Sequence, residues 1–217
     1  MEFLGSVSFY VYVIFLAFII SVIVPGKEYY LKWFPLFLGA TFVAEMIGNF
    51  IWYKGGSNVL LYNCFTTIEF CFYLYVLGQI IQKARTRKII RVCLIVFAIL
   101  ATLNIIAVQT YDFHSYTYVL GCVMVVTFSI SYFLGLFQQK KSVALLREPA
   151  FWICSGLLFY YSCSFPLIAT LNFLSGLSNA SLILIYQLIE LLNVFLYIIF
   201  SIAFLCRIKI RKYTTSS

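Results

Sequence analysis

Three carboxylic acids, Glu45, Glu69 and Glu190, sit inside long runs of otherwise apolar residues. A carboxyl group accepts hydrogen bonds when charged and donates one when neutral, so in an apolar setting it can carry a proton or hold a cation. Each acid has polar company at helical spacing, as one face of a helix requires. Around Glu45 stand Thr41 and Asn49, with Gly48 leaving room beside them. The Glu69 face is Tyr62 or Asn63, Thr66 and Tyr73, and the Glu190 face is Tyr186 or Gln187, Asn193 and Tyr197, with Ser201 further along. Such stripes point into a helix bundle, because lipid penalises them.

An ionised acid at mid-membrane costs about 2.5 to 3.5 kcal/mol on insertion scales. No Lys or Arg lies at their depth in any of these runs to offset that cost. Two solutions remain. Either the acids are largely protonated and hydrogen-bonded to Asn, Gln, Thr and Tyr, or they line a wet cavity and share a proton or an external cation. A third reading makes them polar groups that only knit helices together.

The elements that must position these acids are transmembrane helices. The chain has 217 residues, of which 64% are hydrophobic and 10% charged, far from the composition of a soluble domain. Apolar windows place seven spans at 7–25, 32–53, 59–81, 89–109, 115–137, 150–171 and 183–206, each long enough to cross a bilayer. The expected fold is an all-α membrane protein, one domain over 1–217, with the N-terminus read as the retained first span. At 1.5 Å per residue the three acids share a depth of roughly 12 to 15 Å below the outer surface. Span four offers only Thr102 and Asn104 as interior polar groups and is expected at the lipid-facing edge. Span six carries Pro166, which should kink it, and 138–148 reads as a solvated loop or a short interfacial turn.

Fourteen of the fifteen Lys and Arg residues fall between spans one and two, three and four, five and six, or after span seven; the exception is Lys54. That asymmetry puts the N-terminus outside and the C-terminus in the cytoplasm. It also accounts for the net charge of +8 without nucleic acid as a partner. A shift of 121 residues aligns Gly55-Gly-Ser-Asn58 and Ile68-Glu69 with Gly176-Leu-Ser-Asn179 and Ile189-Glu190. With Leu61 on Leu182, six of fifteen positions match, which suggests two parallel three-helix units joined by span four.

Seven cysteines, none in a C-x-x-C pair, read as small apolar residues rather than disulfides or metal ligands. His114, the only histidine, reads as a solvated loop residue beside Asp112. Tyr29, Tyr30, Trp33, Trp52, Tyr53, Tyr111, Tyr116, Tyr118 and Trp152 read as interfacial belts. Nothing indicates a cofactor.

Glu45, the run L-Y-N-C-F-T-T-I-E-F at 61–70 and the run E-P-A-F-W-I-C-S-G-L-L-F-Y-Y at 148–161 resemble a group of small seven-span bacterial membrane proteins. The resemblance implies a bacterial inner membrane and brings no established activity. A retinal protein would need a lysine in span seven, zinc-dependent seven-span hydrolases need several histidines, and the three-one-three sugar transporters carry a Pro-Gln signature; none is present. Transport or permeation of a proton, small cation or small polar solute is the leading expectation. The competing ones are a ligand sensor that docks a partner protein on its basic cytoplasmic loops, and an intramembrane enzyme acting on lipid.

Overall fold

The computed structural model describes residues 7–24, 26–110, 112–138, 144–173 and 178–206, with the side chains of 170–173 left aside. Lys140, Lys141, Arg207, Lys209, Arg211, Lys212, Tyr111, Gly176 and Leu177 lie outside the described residues. Among the described residues seven α-helices appear in order: α1 Phe9–Ile23, α2 Phe34–Tyr53, α3 Val59–Ile80, α4 Ala84–Leu103, α5 Ser115–Phe137, α6 Pro149–Phe173 and α7 Asn179–Leu205. Among the described residues there is no strand. A helix satisfies its own backbone polar groups, which hydrocarbon demands of any segment that crosses it. Among the described residues six segments are long and apolar enough to cross a membrane, with α1 as a shorter apolar helix. The chain is a multi-pass membrane protein.

The expected spans lie close to the observed helices, and the differences have local causes. α1 covers 15 residues, about 22 Å of rise against a hydrocarbon core of about 30 Å, so it is shorter than the full span expected. Its N-cap hydroxyl, Ser8, is occupied by another helix, and Pro25 follows closely in the sequence. α4 begins at Ala84 rather than 89, because Arg85, Arg87 and Lys88 favour a helix. Arg87 turns back to donate from Nε and Nη2 to the Ile81 carbonyl at 3.3 and 3.2 Å, capping the end of α3. α7 begins at Asn179 rather than 183, where Ser178 Oγ accepts the Ser181 N–H at 3.2 Å. α6 continues through Pro166, and Leu145–Arg147 forms a single 3-10 turn.

The helices follow a closed neighbour order, α1–α2–α3–α5–α6–α7 and back to α1. α4 packs mainly on α3 and α5. Most of its surface is exposed, with Ile90, Phe97 and Ala101 facing inward, which agrees with its expected place at the edge. The α6–α7 contact is the most extensive, whereas the α2–α3 contact is among the loosest. Side chains of α3 reach across the centre: the Phe70 ring lies 5.1 Å from Tyr161 of α6 and 5.4 Å from Tyr118 of α5. Gly121 permits this approach, because a Cβ there would stand 2.7 Å from the Phe70 ring.

The connections α1–α2 and α3–α4, the end of α5 and the start of α6 gather at one end around a recess of about 410 Å³. Lys27, Lys32, Lys83, Arg85 and Arg147 belong to this basic end by chain order, and Lys54 belongs to the opposite end. Next to the basic end the bundle centre is solid. Phe34 of α2 makes edge contacts with Phe72 at 5.1 Å, Phe200 at 5.3 Å and Phe204 at 6.0 Å. Leu31, Leu77, Ile153 and Leu157 are fully buried in the same core.

Candidate functional site

The opposite half of the interior holds the acids. Glu45 projects from α2 and is held by two phenols. Tyr10 of α1 donates to its Oε2 at 2.7 Å, and Tyr62 of α3 donates to the same oxygen at 3.0 Å. Gly48 makes room for the second phenol, since a Cβ there would meet the Tyr62 hydroxyl at 2.5 Å. Asn58, the N-cap of α3, donates from Nδ2 to the Gly48 carbonyl at 3.2 Å and fixes this approach of α2 and α3.

Glu69 takes a hydrogen bond from Tyr73 at 3.1 Å, one helical turn on. It lies near enough to Glu45 to interact electrostatically, and Tyr160, Tyr161 and Tyr197 stand within the same range. Its neighbours Thr66, Phe70 and Tyr73 are buried, yet Glu69 is only half-buried. The phenols around it belong to three helices, α3, α6 and α7. The Tyr161 hydroxyl is buried on this side, close to the Glu69 carboxylate. Among the described residues no Lys or Arg pairs with Glu45 or Glu69.

Glu190 is placed differently. Its Oε1 accepts the Ser8 hydroxyl at 2.6 Å, at the first residue before α1. The start of α1 therefore touches two acids, Glu190 through Ser8 and Glu45 through Tyr10. Among the described residues no three acids, cysteines or histidines converge as a metal site; the acids that interact with each other are Glu45 and Glu69.

The remaining candidates divide in the same way. Tyr197 is buried beside Glu69, and Asn193 Oδ1 accepts Tyr160 at 3.2 Å while its Nδ2 donates to the Ile189 carbonyl at 3.0 Å. Asn49 spends its amide on the Glu45 carbonyl at 2.8 Å, within its own helix. Thr66 is buried on the Glu69 face. Asn63 leaves the acids altogether: its Nδ2 donates to the Asp112 carbonyl at 2.9 Å and its Oδ1 accepts the His114 N–H at 3.1 Å. Tyr186 and Gln187 are exposed on α7. Of the two alternatives open on the α3 face, Tyr62 rather than Asn63 reaches the acids.

Several members carry little signal in the sequence. Tyr10 points inward and Tyr12, two residues on, is exposed; nothing local separates the two. Tyr160 and Tyr161 lie in an aromatic-rich run, and only the packing of α6 against α3 and α7 turns both towards the centre. Ser8 is one of many serines.

His114 corrects an expectation. It is fully buried rather than solvated, with Nδ1 at 2.9 Å from Thr117 Oγ1 and its ring 5.1 Å from Phe113. Nε2 has no partner, and burial pushes the imidazole down to about 4. The reason is Asn63, which pulls the 112–114 turn onto the end of α3. The cysteines are free, with Cys122 and Cys154 buried and Cys64 exposed. Comparison with known proteins finds no family model, no curated protein and no solved structure that matches this chain.

Proposed function

We propose that the chain binds and conducts a proton or small cation at the Glu45–Glu69 pair, entering from the Lys54 end. The observation that carries this reading is Glu69, a carboxylate among phenols of three helices, near Glu45 and with no cationic partner among the described residues. A phenol can donate to the charged acid or accept from the neutral one, so the site tolerates both states without moving a helix. A structural crosslink alone needs no such reversibility, and Asn or Ser would supply it at lower cost.

The remaining parts follow from this reading. The aromatic core around Phe34 and Phe200 closes the route on the basic side, and the recess near Glu28, Gln79 and Glu148 is the exit beyond it. On this reading the basic end lies in the cytoplasm and the Lys54 end outside, the orientation that the charge asymmetry favours, and the membrane is the bacterial inner membrane that the resemblance implies. The neighbour order sets α1–α2–α3 beside α5–α6–α7, as two three-helix units with α4 as a peripheral linker would.

The test is flux into proteoliposomes carrying an internal pH dye, with and without a cation gradient. Glu69→Gln should reduce pH-dependent flux at least ten-fold while the protein still elutes as a monodisperse peak. Flux equal to wild type in that variant rules the site out.

A further inference from the structure

The outside of the bundle is open where α2 and α3 pack loosely. A groove of about 530 Å³ runs between them. One wall is Trp33, just before α2, with Leu36 and Ala40 of α2, and the other is Phe65, Ile68 and Tyr75 of α3. These positions recur at three, four and seven residues, so each wall is one helix stripe. The floor is the Phe37–Phe72 pair, stacked at 4.0 Å and 8°.

We propose that this groove seats one fatty-acyl chain of an anionic phospholipid. Three observations argue for that occupant. The groove opens on the face that meets hydrocarbon, and Leu36 and Ile68 are 68% and 60% exposed along its rim. From Phe65 to Tyr75 it spans ten residues of helix, about 15 Å, or one leaflet of a core about 30 Å thick. Its mouth, where Tyr75 sits beside Tyr29 and Trp33, lies at the basic end, where the exposed Lys32 precedes Trp33 and the exposed Lys27 lies two residues before Tyr29, with Glu28 as the one acid among them. Aromatic rings and lysines at that level suit a phosphate headgroup.

The seat also has a link to the interior. Phe37 of the floor touches the Tyr73 ring at 5.3 Å, and Tyr73 is the donor to Glu69. The lipid site itself does not rest on the proposed transport function.

Quenching of Trp33 tests it. In a Trp52→Phe, Trp152→Phe background Trp33 is the sole tryptophan. The protein is reconstituted in phosphatidylcholine with rising fractions of brominated-chain phosphatidylglycerol or brominated-chain phosphatidylcholine. The expected result is half-maximal quenching by the anionic lipid at about five-fold lower mole fraction for each lysine engaged. Lys32→Gln should narrow that gap and Ala40→Phe, which fills the groove, should abolish it. Superimposed curves for the two lipids, a gap unchanged in both variants, or no quenching by either lipid would overturn the proposal. Lys32→Gln changes an exposed side chain, so it reads the headgroup seat even where Ala40→Phe fails to fold.

Discussion

Towards the Lys54 end, the bundle centre contains Glu45, Glu69 and a shell of phenols that hydrogen-bond or face them. Towards the basic end, the same helices α2, α3 and α7 supply Phe34, Phe72, Phe200 and Phe204, in edge contact and without polar atoms. The difference shows how a small bundle can divide labour along its axis. Apolar rings interlock tightly and resist change in either protonation state. Phenols keep most of the same ring packing and add a hydroxyl that serves an acid charged or neutral. Tyr73 joins the two regions, since its ring meets Phe37 and Phe200 while its hydroxyl donates to Glu69.

The comparison is broken most strongly by hollowing the aromatic half. Phe200 is fully buried, and Phe200→Ala should lower stability by about 3 to 5 kcal/mol through lost burial and the cavity left behind. The loss should be read as a fall in the thermal unfolding midpoint in detergent. If Tyr10→Phe costs as much, the aromatic half is not the structural anchor.

Next comes the rim of the acid half, where His114 is clamped by Asn63 and Thr117. An unfolded histidine titrates near 6.5, while the folded one holds no proton until about pH 4. Between these values the unfolded chain binds a proton that the folded chain refuses, so stability falls as pH drops through the window. The loss is on the order of 3 kcal/mol. Melting curves from pH 7 to 4 should show it, and His114→Gln should flatten the dependence. A slope equal in wild type and variant would place the sensitivity elsewhere.

The smallest effect belongs to the phenols. Tyr10→Phe keeps the ring and removes one of two hydroxyls on Glu45 Oε2, so it should cost about 1 to 2 kcal/mol. Tyr10→Phe with Tyr62→Phe should cost more than the sum of the single changes, because the last donor to a buried acid goes with the second. Strict additivity in that double-mutant cycle would show that the two phenols act on Glu45 independently.

Much of this protein is legible in its residues. Apolar runs of sufficient length become helices in lipid because no other local structure satisfies the backbone, so the helix ends fall within a few residues of the apolar windows. The stripes around Glu45, Glu69 and Glu190 follow from helical spacing, and the thin polar content of span four explains its place outside the ring. Helical periodicity states which side of a helix is polar and not which helix it meets. Only the tertiary structure decided that Glu45 and Glu69 are neighbours while Glu190 is taken by Ser8. Only packing chose Tyr10 over Tyr12, turned Tyr160 and Tyr161 inward, and gave Asn63 to the turn that buries His114. The loose seam between α2 and α3 belongs to the same class: both of its walls are ordinary apolar stripes, and the gap between them exists only once the other five helices have fixed where α2 and α3 stand.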